Sequence, residues 1–183
     1  LFYIDAMAVA ALRVFFAVWP EPSIRTSLAA LAADVAREAR GRPTAPENVH
    51  LTLAFLGEQP TSRMAALCAL AARVGGSRFA LTLDEIGCFR KAGIAWLGAS
   101  APQLELVALQ KRLAGELSAR RFPVDERPYA PHLTLARRVE VGIRRSLSVP
   151  IIWRVSSFAL MASETMASGP SYRSLADWPL MPE

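Results

Sequence analysis

His50-Leu51-Thr52-Leu53-Ala54 and His132-Leu133-Thr134-Leu135-Ala136 are one pentapeptide written twice, and together they use both histidines of the 183-residue chain. A proline-containing turn precedes each copy, Pro46-Glu47-Asn48 before the first and Pro131 before the second. Side chains of a strand alternate between faces, so His50 projects with Thr52 and His132 with Thr134, while the leucines project the other way. Each copy therefore anchors itself in a core and presents an imidazole and a hydroxyl on its opposite face. Two such strands side by side would line a cleft with two histidines and two threonines.

The flanking sequence gives each strand its surroundings. Leu12–Trp19 is β-rich and aromatic and stops at Pro20, so it reads as a buried strand. Pro22 to Arg40 carries Ile24, Leu28, Leu31 and Val35 at helical spacing. Asn48–Gly57 is the first motif strand. Thr61–Val74 reads as a helix capped by Thr61 or Ser62 and stopped at Gly75-Gly76. Strands are expected at Phe79–Ile86 and Ile94–Leu97, and a helix over Pro102 to Arg121 with Leu106, Leu109, Leu113 and Leu117 on one face. His132–Arg137 is the second motif strand, Trp153–Ser163 another, and Gly169-Pro170 turns the chain into Tyr172–Trp178. The order predicts an α+β fold with a mostly antiparallel sheet.

The length is that of one domain. Residues 1–6 read as an appended or disordered lead with Met7 as the natural start, leaving 7–183 as the expected domain. The opening apolar run is not read as a secretory signal, because Asp5 and Arg13 interrupt it and no small-residue cleavage site precedes Pro20. No stretch has the uninterrupted apolar length of a membrane span. Cys68 and Cys88 fit neither a metal pair nor a disulfide framework and are expected to be free thiols in the cytoplasm. The formal charge of +5, carried almost wholly by arginine, favours polyanionic partners such as RNA. P-loop, dinucleotide and nucleophile-elbow motifs do not occur.

Two imidazoles and two hydroxyls are what metal-free phosphodiester hydrolysis requires. One neutral histidine takes a proton from water, and one protonated histidine gives a proton to the departing oxygen. Thr52 and Thr134 would hydrogen-bond the non-bridging oxygens where charge builds up. A lone histidine beside a threonine is ordinary strand composition, but an identical duplicate using every histidine is not. Zinc would need three or four ligands, and only carboxylates and isolated cysteines remain to complete a set. No cofactor or metal is therefore expected.

The two blocks resemble the 2H phosphoesterases, named for paired His-x-Thr-x motifs. The sequence is most similar to their RNA 2′,3′-cyclic phosphodiesterase (2′-5′ RNA ligase) branch. The resemblance runs from about Leu12 to the C-terminus. It takes in Arg13-Val14-Phe15-Phe16-Ala17, Pro46 through Glu58, Trp96-Leu97-Gly98, Pro131 through Arg137, and Tyr172 to Leu180. It implies a bilobal fold with pseudo-two-fold duplicated antiparallel sheets, outer helices and a central cleft. It further implies hydrolysis of RNA 2′,3′-cyclic ends to 2′-phosphates, with His50 as proton donor and His132 as proton acceptor, a choice the symmetric motifs do not make themselves. Reversal of that chemistry would join RNA through a 2′-5′ bond. Arg137 matches a basic position after the second motif and is the next phosphate-binding candidate. In an unbroken strand it would face away from His132, so a bulge or strand end is needed to turn it inward. Ala130 departs from the larger or basic residue common at that position.

Tyr129 and Phe16 are candidates for stacking the terminal base, whereas Phe55 reads as core. Trp19, Trp96, Trp153 and Trp178 read as packing. Arg138–Pro150 matches little and reads as a loop, its arginines either solvated or in contact with RNA backbone. The expected substrate partner is RNA with a cyclic phosphate end, without membrane association and with the protein a monomer. Two alternatives remain: a module that grips RNA ends without turnover, and a phosphodiesterase acting on a small cyclic nucleotide.

Overall fold

A computed structural model describes residues 10–166 and 169–182 of the chain. The expected lead and Met7 lie outside the described residues. Strand β1 (Ala11–Val18) is the aromatic run, buried continuously from Val14 to Val18. Helix α1 (Pro22–Glu38) opens on a proline, whose missing N–H has no role in a first turn, and buries Leu28, Ala32, Val35 and Ala36. Then follow β2 (Arg42–Pro43), β3 (Leu51–Pro60), α2 (Met64–Ala71), β4 (Phe79–Phe89), β5 (Ile94–Gly98) and α3 (Leu104–Ala119). The chain ends with β6 (Leu133–Arg137), β7 (Arg145–Val155), β8 (Ser157–Met166) and β9 (Gly169–Pro179).

Among the described residues these strands form one nine-stranded sheet in the order β7-β4-β5-β6-β3-β1-β8-β9, with β2 beside β6. Pairing between named strands is antiparallel. From the centre outward the two halves repeat: β3-β1-β8-β9 on one side, β6-β5-β4-β7 on the other. Each half holds one strand–helix–strand unit, β1-α1-β3 and β5-α3-β6. The fold is therefore the duplicated α+β arrangement the motifs imply. Its two halves join where β3 meets β6, with Leu51 opposite Leu133. The helices cross over, α1 packing on β6 and α3 on β3. Leu51, Leu53, Leu133 and Leu135 all lie in one core cluster with the buried leucines of α1 and α3.

Both motif strands contain a bulge. Phe16 opposes Ala54 and Ala17 opposes Thr52, which leaves Leu53 as the extra residue of β3. Ala95 opposes Ala136 and Trp96 opposes Thr134, which leaves Leu135 as the extra residue of β6. A bulge resets the alternation, so the side chain five positions after each histidine returns to the histidine's face.

Three local expectations are corrected. The first turn of the Thr61–Val74 helix is 3₁₀ over Thr61–Arg63, and α2 begins at Met64 without a side-chain cap. Residues 153–163 belong to two strands that break at Ser156, and β7 begins at Arg145 inside the stretch read as loop. None of the helices among the described residues is long and apolar enough to cross a membrane.

Candidate active site

Both histidines stand at the mouth of their strands, one residue before β3 and β6 begin. There the backbone still turns, so each ring reaches back to the carbonyl two residues earlier. His50 Nδ1 donates to the Asn48 carbonyl at 2.8 Å, and His132 Nδ1 donates to the Ala130 carbonyl at 2.8 Å. A carbonyl only accepts, so each Nδ1 carries the proton and each Nε2 is left for the cleft. Asn48 does a second job: its side-chain amide donates to the Pro170 carbonyl at 2.8 Å, tying the β8–β9 turn to the first motif.

The cleft between the motifs has a volume of about 520 Å³ and is lined by His50, Thr52, His132, Thr134 and Arg137 together. Arg13, Arg42 and Arg138 also line it, and among the described residues its lining includes no carboxylate. Burial pushes the His50 pKa down to about 4, against the pull of the Asn48 carbonyl; the charges of Arg137 and His132 lower it further. His132 is lowered by the same causes, burial first, then Arg137, with the Ala130 carbonyl opposing. Both rings are thus held neutral at neutral pH. Among the described residues no group of three or more histidine, cysteine or carboxylate side chains comes together.

Thr52, Thr134 and Arg137 share the cleft with the histidines, Arg137 by way of the Leu135 bulge. The two stacking candidates do not. Phe16 is 0% exposed and packs on Phe158 and Trp178, because its neighbour Phe15 takes the cleft face of β1. Tyr129 packs against the core, and its hydroxyl donates to the Thr52 carbonyl at 3.0 Å, bracing the first motif from outside the cleft.

Other residues take the places the sequence reading left empty. Phe55 is 48% exposed in the cleft, with the Arg13 guanidinium 4.9 Å over its ring. It holds the same offset in its motif as Arg137 does in the other, a correspondence legible by aligning the two repeats. Trp19 stacks on His50 at 4.8 Å, and Phe15 and Tyr172 flank the same ring at 4.9 and 5.1 Å. Phe89 meets His132 edge-on at 5.0 Å and contacts Trp96.

A repeated antiparallel unit that brings one His-x-Thr pair from each half to a common cleft defines a two-histidine class of protein. Residues 18–96 and 97–172 each match the family described as LigT like Phosphoesterase. The chain belongs to this family, within the 2H phosphoesterase superfamily. It is 33% identical over 171 residues to the RNA 2′,3′-cyclic phosphodiesterase of Escherichia coli K12, covering 92% of this chain and 96% of that protein. The Thermus thermophilus protein of the same name is 33% identical over 188 residues, covering 94% and 92%. In structure the chain is similar to E. coli LigT complexed with 3′-AMP, with a TM-score of 0.85, 33% identity, and coverage of 93% of this chain and 99% of that one.

Proposed function

We propose that this protein hydrolyses the 2′,3′-cyclic phosphate at an RNA 3′ end to a 2′-phosphomonoester, with His50 and His132 as its acid–base pair and no metal ion. The observation that carries this reading is a cleft in which two imidazoles, each fixed through Nδ1 to a main-chain carbonyl, share walls with two threonines and Arg137. The name of the E. coli relative supports the substrate.

Water attacks phosphorus while His132 Nε2 takes its proton, and a bond from water oxygen to phosphorus forms. The bond from phosphorus to the 3′ oxygen breaks, and protonated His50 gives its Nε2 proton to that oxygen. Thr52, Thr134 and Arg137 hydrogen-bond the non-bridging oxygens as charge accumulates. An imidazole lowered by burial makes the stronger acid once protonated, which suits His50 to the leaving group. The bound phosphate's negative charge raises the His50 pKa again, so that the ring takes up a proton from solvent. Phe55 offers its open ring to the terminal base. With a 5′-hydroxyl in place of water, the same steps would join two ends through a 2′-5′ bond, the 3′ oxygen again leaving with the proton from His50. Two half-buried free cysteines suit a reducing cytosol, and the reading requires no second subunit.

The test is an oligonucleotide with a 2′,3′-cyclic end, incubated in EDTA, with the product phosphate located. The expected product is the 2′-phosphate, and His50→Ala or His132→Ala should slow its formation ~10²–10⁴-fold. Undiminished turnover in either variant eliminates the paired-histidine reading; a 3′-phosphate product reverses the role given to His50.

A further inference from the structure

The cleft carries more positive charge than one reacting phosphate needs. Among the described residues four arginines line it without a carboxylate. Among the described residues none of the four forms an ion pair, whereas six other arginines do. Arg137 stands beside the histidines and threonines, and Arg13 lies over the Phe55 ring. Arg42 and Arg138 are left, and both gather at the Arg137 end. Arg42 is the cross-strand partner of Arg137 in the β2–β6 pair, and Arg138 follows Arg137 at the end of β6 with a left-handed backbone φ of 55°. Like charges directly opposite in a sheet destabilise it, and a non-glycine residue at positive φ adds strain. Nothing in the surrounding lining offsets this crowding. Neighbouring strands lie ~4.8 Å apart, so Arg42 sits one strand beyond the reacting phosphate's own arginine.

We infer that Arg42 and Arg138 form a second phosphate subsite, which holds the internucleotide phosphodiester preceding the terminal nucleoside of an RNA substrate. This rests on the proposed cyclic phosphodiesterase reading and adds a recognition element that a mononucleotide cannot use. Planar guanidiniums suit it because they pair bidentately with a phosphodiester's two free oxygens. The subsite makes the protein selective for chains over free nucleotides, since the second contact is made only when a second phosphate is present.

The test compares three substrates: a 2′,3′-cyclic mononucleotide, a dinucleotide with the same cyclic end, and that dinucleotide with a neutral methylphosphonate between its nucleosides. The expected result is a kcat/KM for the natural dinucleotide about tenfold or more above the other two, the worth of one or two charge-assisted contacts. Arg42→Gln with Arg138→Gln should remove that advantage, chiefly by raising KM, and methylphosphonate should cost the double variant nothing further. Equal wild-type rates on all three substrates overturn the subsite while leaving the phosphodiesterase reading intact. A double variant that loses mononucleotide and dinucleotide turnover in equal proportion also overturns it. Failure of the wild-type protein on every substrate instead overturns the phosphodiesterase reading on which the subsite rests. The methylphosphonate comparison uses the unaltered protein, so it decides the question even if the double variant does not fold.

Discussion

His50 and His132 begin as equivalent residues of a repeat and end in different surroundings. Trp19, Phe15 and Tyr172 enclose His50, whereas Phe89 alone of the described aromatic residues meets His132. The closer enclosure explains why burial is the largest cause of the fall of His50 to about 4. An anion in the cleft opposes the lowering, since it offsets the charge of Arg137 and favours the protonated ring. Binding of an anion should therefore take up a proton wherever the pH lies between the free and bound pKa values. The sign follows: affinity is greatest below the free pKa, declines as pH rises from the free to the bound pKa, and levels off above it. Inorganic sulfate tests this, because its charge is constant across that range. Calorimetry in buffers of different ionisation enthalpy should show proton uptake, reduced in His50→Asn. Affinity should fall by at most ~10-fold per pH unit for each coupled proton. Uptake that is absent, or identical in the variant, would contradict a proton held at His50.

At the level of the strand, residues far from the chemistry fix where His132 sits. Gly87 of β4 lies opposite Trp96 of β5, and a Cβ added there would come 2.1 Å from the indole Cζ2. Trp96 is in contact with Phe89, which meets the His132 ring. Gly87→Ala must displace the indole, at a cost of ~1–3 kcal/mol for overpacking, and should lower kcat through the Phe89–His132 contact. At Gly142 the three atoms nearest such a Cβ all belong to the Arg90 guanidinium, which can swing away, so Gly142→Ala should stay within ~0.5 kcal/mol. Urea unfolding of both variants checks the contrast, and equal losses would refute it. The same strands show what a sequence discloses. The motif strands and their leucines were legible because period-two alternation is local. The bulges at Leu53 and Leu135 were not, since a bulge is decided by the register of the partner strand. Parity alone faces Arg137 away from His132, and the Leu135 bulge is the break that its place in the cleft requires; the matching bulge at Leu53 brings Phe55, which reads as core, into the same cleft. Residues 145–150 fall in the stretch read as loop, yet they open β7, an edge strand, where a proline costs no ladder bond.

Across the whole molecule, duplication supplies two similar halves and divergence gives them different tasks. The position that carries Arg137 in one half carries Phe55 in the other, so one side of the cleft reads charge and the other offers a ring. The halves are nonetheless not separable. Helix α1 belongs to the first repeat but packs on β6 of the second, and α3 returns the exchange on β3. One core cluster runs from Val14 and Leu28 through Leu133 to Trp153 and Phe158. Opening either half would strip the cover from an apolar face of the other, so partial unfolding exposes nearly as much apolar surface as complete unfolding and gains less chain entropy. Unfolding in urea should therefore be a single transition. Trp153 lies buried in β7 and Trp19 lies against His50, on opposite halves of the sheet. Fluorescence from variants retaining only one of these tryptophans should give the same midpoint as far-UV circular dichroism of the same variant. Separate midpoints within one variant would mean that the halves open independently, and that the crossed helices contribute less than their packing implies.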